Sequence, residues 1–422
     1  MELQTVLLFL IYLFSFSITT IVVWSFLRRW IHNKQYARID QLRSLYEVWI
    51  EGILGGNSQH MMELQRVVDE DGAGREALEQ LVCERSMSDD KLIFPLIKEV
   101  GFIQLYENKL ISKHFSTAIR ARAADRLGRM QSEVSVDVLC QILSEENDSE
   151  ELTNSILKAM ALIGSAKALD CIITVFPLLL EKKVITPKNG EMILLMFAPL
   201  YYETLVRALR YYHQSEKRLS AIVTLDALSR SDVTSDMVAV AKEMLSTEDV
   251  EIRVRCLRLI ANTGTKMVDV SLAEVKDYLH DTQWFVRVQA IEVARRFVCE
   301  ESFSQMVSLL GDEHWQVRRA AAGAIVSRGD ESLDTIIGII EGKDIYSKEA
   351  ICEAIHLEGY VEQLVRHLTQ SSLLHNSSAR ILFYMLSIGL TSSLKEMALT
   401  YPTDEIRQNL HLLMYPEGGE ND

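Results

Sequence analysis

The stretch DTQWFVRVQA at residues 281–290 recurs one repeat length later as DEHWQVRRAA at residues 312–321. Each copy opens with an aspartate, places a tryptophan two positions before a Val-Arg step, and has alanine three positions after that arginine. A third copy, DVEIRVRC at residues 249–256, has isoleucine before its arginine. Self-similarity at a fixed period of about 30 residues indicates a repeat protein in which each repeat is one supersecondary unit.

The pattern extends in both directions when the chain is aligned on the arginine position. The anchors are Arg120, Thr153, Arg218, Arg253, Arg287 and Arg318, with Lys348 as a degenerate next member. The interval from Thr153 to Arg218 is twice as long as the others and leaves room for an unrecognised unit near Thr186 and Pro187. Units of this length with apolar residues at helical spacing cannot bury their apolar faces alone, so neighbours stack. The sequence therefore predicts an all-α fold, an α-solenoid of about eight or nine helical hairpins.

These motifs resemble the HEAT-repeat family, in the phycobilisome-lyase-like variant with an Asp-x4-Val-Arg-x-x-Ala signature. The resemblance is clearest over residues 249–326. It implies that the aspartate closes the turn between the two helices of a hairpin. It also implies that the arginine bonds to aspartates of its own or an adjacent unit. Small residues at Ala123, Ala290 and Ala321 would let helices approach closely.

The N-terminus predicts one membrane-spanning helix ahead of the repeats. Residues 3–27 contain no charge. The 23 residues from Thr5 to Leu27 would span about 34 Å as a helix, which is enough for a bilayer core of about 30 Å. A cleaved signal peptide is disfavoured because Glu2 stands where basic residues are expected and no cleavage site follows. Arg28, Arg29, Trp30 and Lys34 form a basic, aromatic flank, which predicts a single-pass cell-membrane protein with its N-terminus outside and its solenoid in the cytoplasm.

Four segments follow from these patterns. Residues 1–34 are predicted to be a transmembrane anchor with a basic inner flank, and residues 35–56 an amphipathic connecting or capping helix. Residues 57–414 are predicted to form the HEAT-repeat solenoid, and residues 415–422 a disordered acidic tail.

The charge of the chain restricts its partners. The formal net charge is −15, of which residues 1–45 contribute +3. An acidic body repels phosphate backbones, so nucleic acid is excluded as a partner. The six cysteines are widely spaced and mostly lie in apolar helical patterns, which predicts buried, reduced thiols and neither a zinc site nor a disulfide framework.

The sequence contains no recognisable catalytic constellation. No histidine is followed by glutamate, as the repeated pairs of di-iron HEAT enzymes would require, and His280 and His314 lack carboxylates at ligand spacing. No phosphate loop or nucleophile elbow occurs either. We therefore predict a protein that is not an enzyme and has no cofactor, metal or catalytic residue. The competing class is a HEAT-fold enzyme of the chromophore-lyase or DNA-glycosylase type.

Binding residues are predicted on the arginine-bearing helices, which in HEAT proteins line the concave face. The candidates are Arg255, Arg258, Arg295, Arg319, Trp284 and Trp315. Guanidinium groups suit carboxylates, which predicts acidic peptide segments of a protein partner or a membrane enzyme. An envelope polysaccharide glycosyltransferase is one such setting, although no residue selects it. The alternatives are that these arginines pair with acids within the chain and that the tryptophans only plug turns between repeats.

Overall fold

The computed structural model describes residues 2–70, 72–88, 92–145, 149–262, 271–296, 300–369, 376–390 and 392–415. Within these ranges every regular element is helical, as predicted. The predicted tail at 415–422 lies outside the described residues except for Tyr415. Compact packing divides the chain into an N-terminal unit, Met1–Tyr201, and a C-terminal unit, Tyr202–Asp422. The prediction for residues 57–414 had not included this division.

The N-terminal unit contains nine complete helices among its described residues and the first half of a tenth. They are α1 Glu2–Leu54, α2 Met61–Asp69, α3 Ala73–Met87, α4 Ile93–Val100, α5 Phe102–Ile111, α6 Thr117–Arg129, α7 Val136–Glu145, α8 Glu150–Ile163, α9 Ala166–Glu181 and α10 Pro187–Gln214. The backbone of α10 is non-helical at Tyr201, where the two units divide.

The C-terminal unit continues with thirteen further helices in its described part. They are α11 Arg218–Ser229, α12 Ser235–Met244, α13 Val250–Ala261, α14 Leu272–Lys276, α15 Trp284–Ala294, α16 Glu300–Leu309, α17 Trp315–Val326, α18 Leu333–Glu341, α19 Ile345–Leu357, α20 Val361–Arg366, α21 Ser377–Ser387, α22 Ser392–Thr400 and α23 Asp404–Met414. The double-length interval in the repeat pattern is occupied by α9 and α10, and α10 begins at Pro187, a residue suited to a first helical position.

Successive hairpins pack side by side within each unit. In the C-terminal unit α11, α13, α15, α17 and α19 form one row, which we call the arginine row, with α12, α14, α16 and α18 behind it. The small residues Ala290 and Ala321 of this row are fully buried. In the N-terminal unit Ala123 is buried and Gly128 of α6 lies directly against Ala159 of α8. The three alanines expected at helix contacts are thus buried, and a close approach of two helices is seen at Gly128.

Helix α1 is a single helix where the sequence predicted an anchor at 1–34 and a separate helix at 35–56. No glycine or proline occurs between residues 28 and 51 to interrupt it. Its second half packs on α3 through the buried side chains of Ile39, Tyr46 and Ile50. Ion pairs from Arg43 to Glu84 and from Arg85 to Glu51 border this contact.

Candidate functional site

The repeated aspartates and arginines form a ladder along the arginine row. Arg287 Nη1 donates to the carbonyl oxygen of Asp281 at 2.9 Å, in the turn before its own helix. Its Nη2 donates to Asp312 Oδ1 at 2.8 Å, in the turn of the following hairpin. Arg253 repeats the arrangement, donating to the Thr247 carbonyl at 2.9 Å and lying 3.2 Å from Asp281 Oδ2. Each arginine thus ties two consecutive repeats together.

The aspartates of the ladder also begin the helices that follow them. Asp249 Oδ1 accepts from the backbone N–H of Glu251 at 2.9 Å, and Asp312 Oδ1 accepts from that of His314 at 2.8 Å. Such capping satisfies backbone donors that a helix N-terminus leaves without a partner. The roles that the resemblance implied for the aspartate and the arginine are therefore confirmed.

Arg255 and Arg258 lie off the ladder and share one carboxylate. Arg255 Nε donates to Asp226 Oδ2 at 3.0 Å, and its Nη1 pairs with Glu251. Arg258 Nη1 lies 3.8 Å from Asp226 Oδ1. Burial lowers the pKa of Arg255, but hydrogen bonds and charges from Asp226 and Glu251 outweigh it, so the net pKa is raised. These two predicted binding residues make intramolecular ion pairs.

The other four predicted residues line one groove of about 490 Å³ across α15, α17 and α19. Trp284 begins α15 and Arg295 follows its last residue, whereas Trp315 and Arg319 belong to α17. We call this the Trp315 groove. Arg295 Nη1 lies 3.4 Å from Glu292 and Arg319 Nε lies 3.5 Å from Glu353, so these arginines too have acidic neighbours.

The two tryptophans of the groove have different surroundings. Trp284 stacks on the imidazole of His314 with ring centroids 4.3 Å apart and planes nearly parallel. This contact joins adjacent repeats. It agrees with the alternative interpretation in which Trp284 fills the turn between repeats. Trp315 instead has 54% of its surface exposed, and Leu357 on the neighbouring helix has 56%. An aromatic and an aliphatic side chain therefore face solvent from the groove.

The contribution of α19 to the groove was not predicted. Ala354, Leu357 and Glu358 line it, although their repeat has lost the arginine anchor that identified the others. The signal was present as spacing, because Asp344 follows Asp312 by one repeat length. Asp344 caps α19 by accepting from the Tyr346 N–H at 3.1 Å. Lys348 had already marked this repeat as a degenerate member, and alignment on the aspartate identifies it more clearly.

The cysteines correct one prediction. Cys140 and Cys171 are joined by a disulfide, with Cα atoms 6.0 Å apart, between α7 and α9. Their sequence separation of 31 is one repeat length, so stacking places them at equivalent positions in neighbouring hairpins. Cys83, Cys256 and Cys352 are free and buried, and burial raises the pKa of each thiol to about 12. Cys299 lies outside the described residues.

The described residues can be compared with the geometry that a metal site requires. Its histidines, cysteines and carboxylates form no group of three or more that could hold a metal ion. His280 Nε2 lies 3.3 Å from Gln305 Oε1. His314 instead stacks on Trp284.

One described helix, Pro187–Gln214, is long and apolar enough to cross a membrane, and 39% of its most apolar stretch is buried within the protein. Core helices of soluble proteins can be equally long and apolar. Its Ile193, Leu194 and Phe197 side chains are buried in the N-terminal unit.

One stretch of this chain is similar to a known family of helical repeats. Residues 272–356 match the family model of HEAT repeats. An engineered protein aligns with 86% of this chain and all of its own, at 19% identity and TM-score 0.32. Kap121p bound to Pho4p aligns at 12% identity and TM-score 0.46, covering 89% of this chain and 51% of its own. Kap95p with RanGDP aligns at 13% identity and TM-score 0.42, covering 85% and 58%. This chain thus spans about half of those two structures, and no curated protein matches its sequence.

Proposed function

We propose that this chain is a membrane-anchored HEAT-repeat scaffold that binds a protein partner through the Trp315 groove and assembles or regulates a membrane complex. Its repeats would be of the phycobilisome-lyase-like variant, on the basis of the Asp-x4-Val-Arg-x-x-Ala signature at 281–290 and 312–321. The observation that carries the proposal is the solvent-facing pair Trp315 and Leu357 in a groove shared by three consecutive repeats.

The chemistry of the groove favours a particular kind of peptide. Tryptophan and arginine dominate the energetics of protein interfaces, especially at the centre of a well-packed contact. Here Trp315 stands beside Arg319, whose ion pair with Glu353 is half exposed and therefore weak. A peptide fits this surface if it has an apolar residue that contacts Trp315 and Leu357 and a nearby carboxylate that pairs with Arg319. Acidic peptides remain the partner class, with apolar contact added.

The membrane part of the proposal is supported by the first half of α1. Ten apolar side chains between residues 14 and 30 are each at least 47% exposed, which water disfavours and a bilayer satisfies. Lys34 Nζ lies 4.5 Å from the centre of the Trp30 ring, an aromatic and basic pair suited to the bilayer interface. The Arg28 and Arg29 flank places the repeats on the cytoplasmic side in this proposal.

Replacing Trp315 by alanine is expected to weaken partner binding at least about tenfold, as loss of an interface tryptophan does. A photo-crosslinking residue at position 316, which lines the groove beside Trp315, would first identify the partner of the full-length protein in intact membranes by mass spectrometry. Affinity for that partner is then compared between the wild type, Trp315→Ala and Leu399→Ala. Leu399 is 83% exposed in the same unit but outside the groove, so it serves as control. Equal affinities for all three proteins would refute the groove.

The cysteine pair tests which side of the membrane the repeats occupy. Disulfides persist in oxidising compartments and are reduced in the cytosol. If the repeats are cytoplasmic, acid quenching of growing cells followed by alkylation should label Cys140 and Cys171 as free thiols. The bond should then form in air after purification. The buried Cys256 should be alkylated only after denaturation in either case. A Cys140–Cys171 bond already present in the quenched cells would reverse the proposed orientation.

A further inference from the structure

Two cavities beside the second half of α1 form a basic region in an acidic protein. One, of about 360 Å³, lies between α1, α3, α5 and α6, and the other, of about 400 Å³, lies between α1, α3, α6 and α8. Arg126 lines both. Their walls carry seven arginines and lysines against three glutamates, while the whole chain has a net charge of −15. Such a local excess of one charge in a concave surface concentrates ions of the opposite sign.

Arg126, which lines both cavities, is held in place by a buried carboxylate. Glu79 of α3 is buried, with 8% of its surface exposed, and is ion-paired with Arg126. The hydroxyl of Tyr106 donates to the same carboxylate. Burial, followed by the charge of Glu79, raises the pKa of Tyr106, so the phenol stays a neutral donor. Arg126 is therefore fixed by a buried carboxylate at the boundary of the two cavities.

The cations that line the two cavities differ in how far acidic neighbours compensate their charge. Arg122, Arg126 and Arg129 are spaced at i, i+4 and i+7 on one face of α6, where like charges destabilise a helix. Arg129 pairs with Asp125 at 2.8 Å. Arg122 and Lys158, which is on the adjacent α8, are exposed and make no ion pair with any described residue. Arg122 lines the first cavity and Lys158 the second, so an anion beside Arg126 in either cavity would meet one of these two cations.

We propose that this region, the Arg126 cavities, binds a phosphoryl group. A guanidinium fork held at a fixed position matches the oxygens of phosphate, and lysine adds a mobile point charge. The phosphoryl group would come from an anionic lipid headgroup or from a soluble phosphorylated molecule. Ile39, which lines the first cavity, lies about 14 Å along α1 beyond Trp30, at 1.5 Å per residue. The cavities thus stand just beyond the interface that the proposed anchor would define, within reach of either source.

This proposal is independent of the Trp315 groove, which belongs to the other unit. The test uses the full-length protein in nanodiscs of phosphatidylcholine, with inorganic pyrophosphate as the soluble probe and phosphatidylglycerol as the lipid probe. Pyrophosphate affinity is measured by calorimetry at fixed ionic strength. Hydrogen exchange of α6 and α8 is measured with pyrophosphate, with phosphatidylglycerol in the disc, and with neither.

The double variant Arg122→Glu/Lys158→Glu is expected to lose at least about tenfold in pyrophosphate affinity and to lose the protection of α6. The matched control is Lys343→Glu/Lys395→Glu, which makes the same change in net charge at exposed positions of the C-terminal unit. Its affinity should stay within about twofold of the wild type. The milder Arg122→Gln/Lys158→Gln variant replaces the first one if charge reversal prevents folding.

The outcomes separate the two sources and allow refutation. Protection of α6 by pyrophosphate in phosphatidylcholine discs identifies a soluble phosphorylated ligand. Protection by phosphatidylglycerol without pyrophosphate identifies a lipid headgroup. Protection by neither probe overturns the proposal, and so does an equal loss of affinity in the control variant, since that would report only the net charge.

Discussion

Replacing Arg287 by alanine should destabilise the C-terminal unit by about 3–5 kcal/mol, the usual cost of removing one partner of a buried ion pair. Only 7% of Arg287 is exposed, and the side chains of Arg287 and Asp312 are each 9% exposed at their contact. The truncation would leave the Asp312 carboxylate buried with its Arg287 bond lost, and the Asp281 carbonyl without its donor. A loss of this size lowers the melting temperature of a unit of about 220 residues by roughly 10 °C.

Arg319→Ala is the matched control for this experiment. Arg319 lies on the neighbouring helix of the arginine row, but its ion pair with Glu353 has a side-chain exposure of 46% and 50%. Exposed pairs contribute about 0–1 kcal/mol, so the control should change the melting temperature by only about 1–3 °C. Thermal unfolding followed by circular dichroism measures both variants. Similar shifts for Arg287→Ala and Arg319→Ala would show that the ladder does not hold the repeats together.

A double variant tests the pairing itself. Asp312→Ala removes the bond from Arg287 and also the cap on the His314 N–H, so it should be costly alone. Because Arg287→Ala and Asp312→Ala remove the same contact, their combined effect should be smaller than the sum of the single effects by about 1–3 kcal/mol. Additive effects would mean that the two residues act independently.

The repeats and their ladder were predictable because they depend on residues near each other in sequence. Asp281 and Arg287 lie in the same turn and helix start, and Asp312 is the residue equivalent to Asp281 in the following repeat, so periodicity alone places Asp312 near Arg287. A stacked array converts a sequence period directly into a spatial neighbour. The same reasoning, applied to Cys140 and Cys171 at a sequence separation of 31, would have predicted their contact.

The ion-pair partners of the other arginines could not be predicted from the sequence, because they depend on how each helix is rotated about its axis. Arg255 and Arg319 both lie two or fewer positions from a ladder arginine, yet one pairs with Asp226 on the preceding helix of the row and the other with Glu353 on the following one. A period of 3.6 residues changes side-chain direction by about 100° per position. The sequence shows that the row is rich in arginine. Only the structure shows that carboxylates of adjacent helices pair with these arginines.

Exposure in the Trp315 groove was equally inaccessible to pattern reasoning. Trp284 and Trp315 occupy identical positions in their repeats, but His314 covers one face of Trp284. Counted from the capping aspartate, the residue equivalent to His314 in the following repeat is Tyr346, whose ring centre lies 5.0 Å from the guanidinium carbon of Arg318. An aromatic residue at the same repeat position thus stacks on a tryptophan in one repeat and contacts an arginine in the next, and Trp315 faces solvent.

Replacing Gly128 by valine is expected to cost the N-terminal unit more than about 3 kcal/mol. A Cβ atom at Gly128 would lie 2.5 Å from the Cα atom of Ala159 and 2.8 Å from its Cβ atom, so α6 and α8 would have to separate. Overpacking a close helix contact usually costs about 1–3 kcal/mol for small additions, and valine adds two methyl groups beyond that first clash. Gly128→Ala should be milder, because alanine also raises helix propensity by about 1 kcal/mol.

Gly52→Val provides the control in the same unit, since Gly52 is helical in α1 and a Cβ atom there would meet nothing within 4 Å. Its stability should change by no more than about 0.5 kcal/mol. Hydrogen exchange of α6 and α8, together with thermal unfolding of the full-length protein, would locate and measure the effect. If Gly128→Val and Gly52→Val unfolded at the same temperature, α6 and α8 could not be packed as closely as described. The pairing of a glycine with an alanine would then not be what sets their separation.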